Sequence, residues 1–384
     1  MPFQYEQNVE SEDGNNVYLT IDETIQSICE KYMQKGVEDN NVLNKGVCIA
    51  MDVNTGAILA MVTTDGYDLN NPYELSAKDK KKIKSTPKKK QAEAESAALS
   101  AMWRNKAVAD TYMPGSVFKM CVASAALEEN LVNDKTSFTC TGSIEVEGET
   151  LHCSNTEGHG TQSFVEAISN SCNPAFVQIG QMLGASKFRQ YYQGFGFSDK
   201  TGIDLPGEAE DSFWKEGKMG GVDLAVASFG QNFSITPIQM ITACAAVSNG
   251  GYVVQPHVVS KITDSKGNVI KTVDKKIKRQ VISDDTSKKM NEYLEYNTER
   301  QGAAAGYISG YKVAGKTGTS EKKGVTKVES SFSEDYISSF CGFAPADDPQ
   351  IACLLYTSRR RRLLRFTGFV TCIYQYYERG SSLS

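Results

Sequence analysis

Three short motifs in the sequence carry side chains that together could perform acyl transfer. They are Ser116-Val117-Phe118-Lys119, Ser171-Cys172-Asn173 and Lys316-Thr317-Gly318. A serine hydroxyl is a weak nucleophile near neutral pH, so it needs a base beside it before it attacks a carbonyl. A lysine three positions later on a helix lies on the same face, within reach of that hydroxyl. The first motif therefore predicts a serine nucleophile paired with a lysine base.

The lysine base must be neutral for part of the time. Burial of Lys119 and a second cation nearby, Lys316, would both lower its pKa. Ser116 follows the helix-breaking pair Pro114-Gly115, which predicts that it stands in the first turn of a helix over residues 116–129. Backbone N–H groups and the positive end of that helix would then stabilise the anionic tetrahedral intermediate.

The second motif offers a proton relay and a substrate contact. Ser171 would pass a proton between Lys119 or Lys316 and the departing amine. Asn173 would donate and accept hydrogen bonds with the substrate backbone, because its carboxamide carries both kinds of group.

The third motif is typical of an edge strand that binds a substrate. Gly318 leaves space for the substrate to approach, and the hydroxyls of Thr317 and Thr319 can hold a terminal carboxylate. The Thr319 amide would complete an oxyanion hole with the amide of Ser116.

Alone, S-x-x-K is a weak indication, S-x-N is weaker still and K-T-G is moderate, but the occurrence of all three in this order is a much stronger one. The alternative is an ordinary capped helix at Ser116, an asparagine turn near Asn173 and a lysine-bearing strand at Lys316. The ordered triple favours the catalytic interpretation over this one.

The elements that must position these motifs predict an α+β fold. Alternating apolar runs around a turn predict a β-hairpin over residues 46–63, and later runs predict strands over 311–314, 336–343 and 350–356. Apolar residues at three- and four-residue spacing predict helices over 20–35, 164–169, 174–183 and 236–247. Strands at both ends of the sequence with helices between them indicate one sheet closed by its terminal strands.

Composition is that of a globular protein and excludes some classes of partner. The 384 residues are 40% hydrophobic and 23% charged, with a formal net charge of -5, so nothing indicates nucleic-acid binding. The lysine-dense run 78–90 lacks interleaved aromatic residues, and we interpret it as a solvated loop or helix rather than an anion-binding surface. No apolar stretch of about 18 residues occurs, and residues 1–13 lack the features of a secretion signal.

Cysteine usage predicts core thiols rather than a metal centre. The ten cysteines include no CxxC pair and there are three histidines, so no zinc site is expected. Cys140 and Cys153 flank a predicted hairpin and could form a disulfide; the sequence leaves their state open.

The sequence resembles the transpeptidase domain of class B penicillin-binding proteins, in which the three motifs recur in this order. The similarity covers about residues 15–353 and is carried by AVADTYMPGSVFK (107–119), VEGETLHCSNTEGHG (146–160), FGFSDKTGIDLPGE (195–208), SFGQNFSITPIQM (228–240), VAGKTGTS (313–320), SSFCGFAPADDP (338–349), LTIDETIQ (19–26) and AMDVNTGAILAM (50–61).

The resemblance implies a fold and a reaction. The fold is a β-lactamase/transpeptidase-like one, with a central antiparallel sheet flanked by helices and an all-helical subdomain that holds the first two motifs. The reaction is peptidoglycan D,D-transpeptidation on stem peptides that end in D-Ala-D-Ala, without metal or cofactor, and β-lactam antibiotics would acylate the same serine. The implied roles are nucleophile for Ser116, base for Lys119, relay and substrate contacts for Ser171 and Asn173, and carboxylate and oxyanion binding for Lys316, Thr317 and Thr319, with Gly318 between them.

The resemblance also implies a domain organisation and a cellular location. Family members carry a membrane helix and a non-catalytic pedestal ahead of this domain and work on the outer face of the bacterial cytoplasmic membrane, with a glycosyltransferase partner. We therefore expect a chain without its anchor, with residues 1–14 as the remnant of an upstream linker. Residues 354–384, which include four successive arginines at 359–362, do not resemble the expected continuation and are predicted to be a tail foreign to the fold.

Three other functions stay open at this point. A serine β-lactamase or β-lactam sensor uses the same motifs, and a D-Ala-D-Ala carboxypeptidase would use water as acceptor. A non-catalytic scaffold is disfavoured by the intact pair Ser116 and Lys119. The sequence does not distinguish a role in elongation, division or sporulation.

Overall fold

A computed structural model of the chain describes residues 13–39, 42, 44–64, 66–209, 213–300, 306–321 and 336–359. The strands are β1 Asn16–Leu19, β2 Asn44–Asp52, β3 Ile58–Thr63, β4 Ser137–Cys140, β5 Ser143–Val146, β6 Glu149–His152, β7 Gly160–Ser163, β8 Tyr252–Val254, β9 Val259–Thr263, β10 Val269–Thr272, β11 Ile277–Gln280, β12 Ala314–Glu321, β13 Tyr336–Ala344 and β14 Ile351–Arg359.

The helices are α1 Glu23–Asp39, α2 Ala77–Ser85, α3 Gln91–Trp103, α4 Lys106–Ala109, α5 Lys119–Glu128, α6 Phe164–Ser169, α7 Asn173–Gly194, α8 Gly221–Ala227, α9 Pro237–Ser248 and α10 Asp284–Arg300, with 3-10 turns at Lys88–Lys90 and Gly115–Phe118. In this part of the chain, no helix is both long and apolar enough to cross a membrane.

A five-stranded antiparallel sheet forms the centre of the fold, in the order β12-β13-β14-β2-β3. Its strands come from both ends of the sequence, as the predicted α+β arrangement requires. β2 and β3 confirm the hairpin predicted over residues 46–63. β12 lies at one edge, which agrees with the edge strand predicted for the third motif.

Helices cover both faces of this sheet. Successive residues of β2 point to opposite faces: Val47 and Ile49 join the larger core with α5 and α9, whereas Cys48 and Ala50 pack with α1. Every residue of α9 is buried, so this helix runs through the middle of the core. α1 begins at Glu23, three residues later than predicted, because the Asp22 carboxylate accepts hydrogen bonds from backbone N–H groups of the first turn.

The region of the first two motifs combines α5, α6 and α7 with two small sheets, β4 with β7 and β5 with β6. The helical part of the prediction is confirmed, and the small sheets add to it. The helix predicted over 174–183 continues to Gly194, but it is kinked at Gly184, whose φ of 69° is not helical. The predicted end therefore coincides with the kink.

Two other expectations have opposite outcomes. The strand predicted at 311–314 is wrong, because β12 begins at Ala314 and Tyr311 only forms an isolated bridge with Ile308. The lysine-dense run lies in α2 and the following 3-10 turn, where no residue is buried, which confirms its interpretation as a solvated segment.

β14 occupies the middle of the sheet, between β13 and β2. The boundary predicted between residues 353 and 354 falls inside this strand, so residues 354–359 pair within the sheet. Residues 360–384 lie outside the described residues, and the foreign tail stays a prediction.

Candidate active site

A cavity of about 460 Å³ lies where the three motifs meet. Its lining includes six of the eight site residues expected from the sequence, namely Ser116, Ser171, Asn173, Thr317, Gly318 and Thr319. The other two, Lys119 and Lys316, are 0% and 1% exposed and lie behind the lining. The structure therefore gathers all eight residues around one cavity.

Ser116 stands in the 3-10 turn that leads directly into α5. Phe118 belongs to the same turn and packs against Phe197 and Phe233, at ring-centroid distances of 5.3 and 4.8 Å. Ser116 itself is half-buried and faces the cavity. The first turn of the predicted helix is thus tighter than α, but it places the serine as expected.

Close backbone approach fixes the position of this turn. The Gly115 N–H donates to the Gly230 carbonyl at 2.8 Å, and both glycines have positive φ, 58° and 83°. A Cβ on Gly230 would lie 2.0 Å from the Gly115 carbonyl oxygen. The loop that carries Gly230 therefore determines where Ser116 stands.

Replacing Gly230 by alanine is expected to displace this turn. Alanine at positive φ costs about 1 kcal/mol or more of unfolding free energy, and here the backbone contact adds to that cost. Gly207→Ala is the matched control, because Gly207 has a φ of 81° and a Cβ added there would meet nothing within 4 Å. The urea midpoint of unfolding should fall further for Gly230→Ala than for Gly207→Ala; equal losses in the two variants would contradict this role of the backbone contact.

Lys119 is held by three acceptors of the second motif. Its Nζ donates to the Ser171 carbonyl at 2.7 Å, the Ser171 hydroxyl at 3.2 Å and the Asn173 Oδ1 at 2.8 Å. Burial lowers the pKa of Lys119 well below its ordinary value, and the positive charge of Lys316 lowers it further. Both causes are those expected from the sequence, and both favour a neutral amine that can accept a proton.

The second motif occupies the junction between α6 and α7. Ser171 has a φ of 52°, a left-handed conformation that the junction imposes, and its N–H donates to the Ile168 carbonyl at 3.1 Å. Asn173 begins α7, and its Nδ2 donates to the His152 carbonyl at 3.0 Å. The carboxamide is thus oriented by Lys119 on one side and by His152 on the other.

The third motif lies on β12, against the 3-10 turn. A Cβ on Gly318 would lie 3.0 Å from the Pro114 carbonyl oxygen and 3.1 Å from Val117, so glycine lets the strand approach the turn. The Ser320 hydroxyl also links β12 to the segment before the turn, because it donates to the Met113 carbonyl at 2.6 Å. Burial lowers the pKa of Lys316 to about 8.

Sequence reasoning did not assign other residues that line the cavity. Phe229 and Gln231 belong to the quoted stretch 228–240, and His152 and Ser154 to the stretch 146–160. Their position in those family-like stretches is the one sequence feature that pointed to them. No chemical pattern distinguished them from the neighbouring residues.

A cluster of thiols lies beside the cavity and includes the two cysteines whose state the sequence left open. Cys140 and Cys153 are both free thiols. They converge with His159 and Cys172, and the four potential ligand atoms lie within 4.8 Å of one another. The four positions lie 13, 6 and 13 residues apart and include no CxxC pair, and from this spacing no metal centre was expected.

The comparisons with known proteins agree with this geometry. The family model of the penicillin binding protein transpeptidase domain matches residues 46–361. Stage V sporulation protein D of Bacillus subtilis is 35% identical over 96% of this chain and 54% of its own length. Peptidoglycan D,D-transpeptidase MrdA of Acinetobacter baumannii is 29% identical over 88% of this chain and 50% of its own length. The chain thus spans about half the length of these curated relatives.

Solved structures share the fold. The D,D-transpeptidase domain of a peptidoglycan glycosyltransferase from Eggerthella lenta superposes with a TM-score of 0.79 at 25% identity, covering 95% of this chain and 83% of that one. Penicillin binding protein 3 of Mycobacterium tuberculosis, in complex with aztreonam, gives a TM-score of 0.81 at 24% identity, covering 96% and 80%. The predicted resemblance and the predicted fold are confirmed, and the chain belongs to the family of penicillin-binding protein transpeptidase domains.

Proposed function

We propose that this chain is a peptidoglycan D,D-transpeptidase that works through an acyl-serine intermediate at Ser116 and is acylated there by β-lactams. The observation that carries the proposal is the convergence of all three motifs on one cavity, with a buried, pKa-lowered lysine contacting the second motif. The names of relatives such as the A. baumannii D,D-transpeptidase support the same reaction.

In the proposed acylation step these groups act in turn. The Ser116 oxygen attacks the carbonyl carbon of the penultimate D-alanine, and its proton passes to the neutral Lys119 amine. The backbone N–H groups of Ser116 and Thr319 stabilise the oxyanion. When the C–N bond breaks, the proton returns through Ser171 to the departing D-alanine amine, and the acyl group remains on Ser116.

Deacylation completes the cross-link. The amine of a second stem peptide attacks the ester carbon, forming an amide and returning a proton to the Ser116 oxygen. Thr317, Thr319 and the Lys316 cation would hold the terminal carboxylate of the donor during the first step, with Asn173 on the substrate backbone.

The test uses the full chain with a donor peptide that ends in D-Ala-D-Ala and an acceptor peptide that carries a free amine. Mass spectrometry should find the cross-linked product and one released D-alanine for each bond formed. Hydrolysis alone, unchanged by added acceptor, would identify a carboxypeptidase instead. Rapid turnover of penicillin without a stable adduct would identify a β-lactamase.

Site of action and partner belong to the same proposal. A wall cross-linking enzyme meets its substrate on the outer face of the cytoplasmic membrane. The E. lenta structure is the transpeptidase domain of a peptidoglycan glycosyltransferase, so the two names are joined in that protein; here the glycosyltransferase is proposed as a partner.

The proposed role of Lys316 predicts a loss of activity at alkaline pH. Burial lowers the Lys316 pKa to about 8, so the cation is present below that pH and is lost as the pH rises through it. The second-order rate of acylation by a carboxylate-bearing penicillin should therefore fall above about pH 8. Lys316→Arg keeps its charge, so its profile should lack this fall even if its rate is lower; a fall at the same pH in both proteins would contradict the role.

A further inference from the structure

A row of three hydroxyl side chains crosses the central sheet beside the third motif. Thr319 on β12 stands opposite Ser338 on β13, and Ser338 stands opposite Thr357 on β14. Directly opposite residues of antiparallel strands project their side chains to the same face, with Cβ atoms about 4.5–5.5 Å apart. The three hydroxyls are therefore neighbours, and Thr319, on the edge strand, is the one that lines the cavity.

The two inner members of this row are buried without a hydrogen bond. Ser338 is 3% and Thr357 is 2% exposed, and neither hydroxyl has a partner among the residues that the structure describes. A buried hydroxyl without a partner destabilises a fold, because it has lost its bonds to water and gained none in return. Such groups are uncommon in native structures, and each one calls for an explanation. The exposed Thr319 beside them offers the partner that they lack.

We propose, on the basis of the function proposed above, that Ser338 is a positioning residue: it orients the Thr319 hydroxyl toward the terminal carboxylate of the donor peptide or of a β-lactam. A hydroxyl carries one proton and two lone pairs. When Thr319 donates its proton to the carboxylate, its oxygen can accept the Ser338 proton, and the Ser338 oxygen can accept that of Thr357. Rotation about χ1 of these side chains is sufficient to bring the hydroxyls together.

A bond from Ser338 strengthens carboxylate binding in two ways. It restricts Thr319 to the rotamer that directs its proton into the cavity, so less side-chain freedom is lost when the ligand binds. It also makes the Thr319 proton a better donor, because linked hydrogen bonds polarise one another. The negative charge of the carboxylate makes the last bond of the row the strongest. Ser338 therefore acts on recognition of the carboxylate and not on proton transfer at Ser116.

The next residue of β13, Ser339, provides a comparison within the same strand. It is 1% exposed, and its hydroxyl also lacks a hydrogen-bond partner in the described part of the chain. Its side chain projects to the opposite face of the sheet, where a Cβ on Gly318 would lie 2.6 Å from its Oγ and 3.1 Å from Val117. Ser338 and Ser339 thus share residue type, strand and burial, and differ in whether they adjoin the Thr319 side chain.

The test compares acylation of the full chain by benzylpenicillin and by its methyl ester, which has the same reactive ring but no charged carboxylate. Ser338→Ala should lower the second-order rate with benzylpenicillin roughly 3- to 10-fold, the scale of one net hydrogen bond, and leave the rate with the ester within about twofold. Ser339→Ala is the matched control and should leave the ratio of the two rates unchanged. Ser338→Thr keeps a hydroxyl and suits a strand, so it should keep the ratio of the unaltered chain.

Two further measurements separate positioning from a structural role. In a Thr319→Ala background, Ser338→Ala should cause no further loss of rate with benzylpenicillin, because the hydroxyl through which it acts is gone. Without ligand, the melting temperature of Ser338→Ala should equal or exceed that of the unaltered chain, since the change removes an unpaired buried polar group. If Ser338→Ala does not fold, Ser338→Cys takes its place, because a thiol is of similar size and a weaker donor.

Several outcomes would overturn this role of Ser338. They are equal losses of rate with benzylpenicillin and its ester, a change of the rate ratio in Ser339→Ala as large as in Ser338→Ala, or additive losses in the double variant. Any of these in a chain that benzylpenicillin labels at Ser116 would remove the role of Ser338 and leave the proposed function standing. An unaltered chain that benzylpenicillin does not label would remove the proposed function itself, and the role of Ser338 with it.

Discussion

Replacing Ser116 by alanine is expected to abolish covalent labelling by penicillin and to lower transpeptidation by about a millionfold, the scale on which serine hydrolases lose activity without their nucleophile. The half-buried Ser116 faces the cavity from the turn ahead of α5, and in the proposed mechanism its oxygen forms the bond to the acyl group. Fluorescent penicillin on a gel and intact-mass spectrometry measure the adduct, and peptide mapping locates it.

Ser154→Ala is the matched control for this experiment. Ser154 lines the same cavity but lies outside the three motifs, so its removal should leave the adduct in place. The melting temperatures of both variants should stay close to that of the unaltered chain, since neither serine is fully buried. An adduct that persists in Ser116→Ala, or that maps to Ser171, would contradict the assignment of the nucleophile.

The sequence was sufficient to predict the catalytic motifs because each of them is local. Ser116 and Lys119 are separated by one helical turn, and β2 with β3 forms a hairpin around a single turn. α6 appears with the predicted bounds because Ser163 and Glu166 form a reciprocal cap at its start. In these places local propensity and tertiary structure agree.

The sequence was insufficient where only the topology brings residues together. The four members of the thiol cluster come from β4, the β6–β7 segment and the start of α7, and no short pattern connects them. The beginning of β12 was misplaced because residues 311–313 have a strand-like sequence, whereas pairing of β12 with β13 begins only at Ala314.

Replacing Lys119 by methionine is expected to lower the acylation rate by about 10²–10⁴-fold, the usual contribution of a general base. Methionine keeps most of the side-chain length and its apolar stem but cannot accept the Ser116 proton. It also leaves the acceptors on Ser171 and Asn173 without the Nζ donor that now contacts them. Some loss of stability, about 1–3 kcal/mol, should therefore accompany the loss of rate.

Lys106→Met separates these two effects. Lys106 is also almost fully buried, at 3% exposure, and its Nζ donates to the Thr64 carbonyl, but it belongs to none of the motifs. Its replacement should cost stability by the same mechanism while the folded fraction is still acylated at the normal rate. The rate is measured with fluorescent penicillin and corrected for the folded fraction from urea titration. If the two variants lost rate only in proportion to their unfolded fractions, Lys119 would be a buried structural lysine and the base would have to be another group.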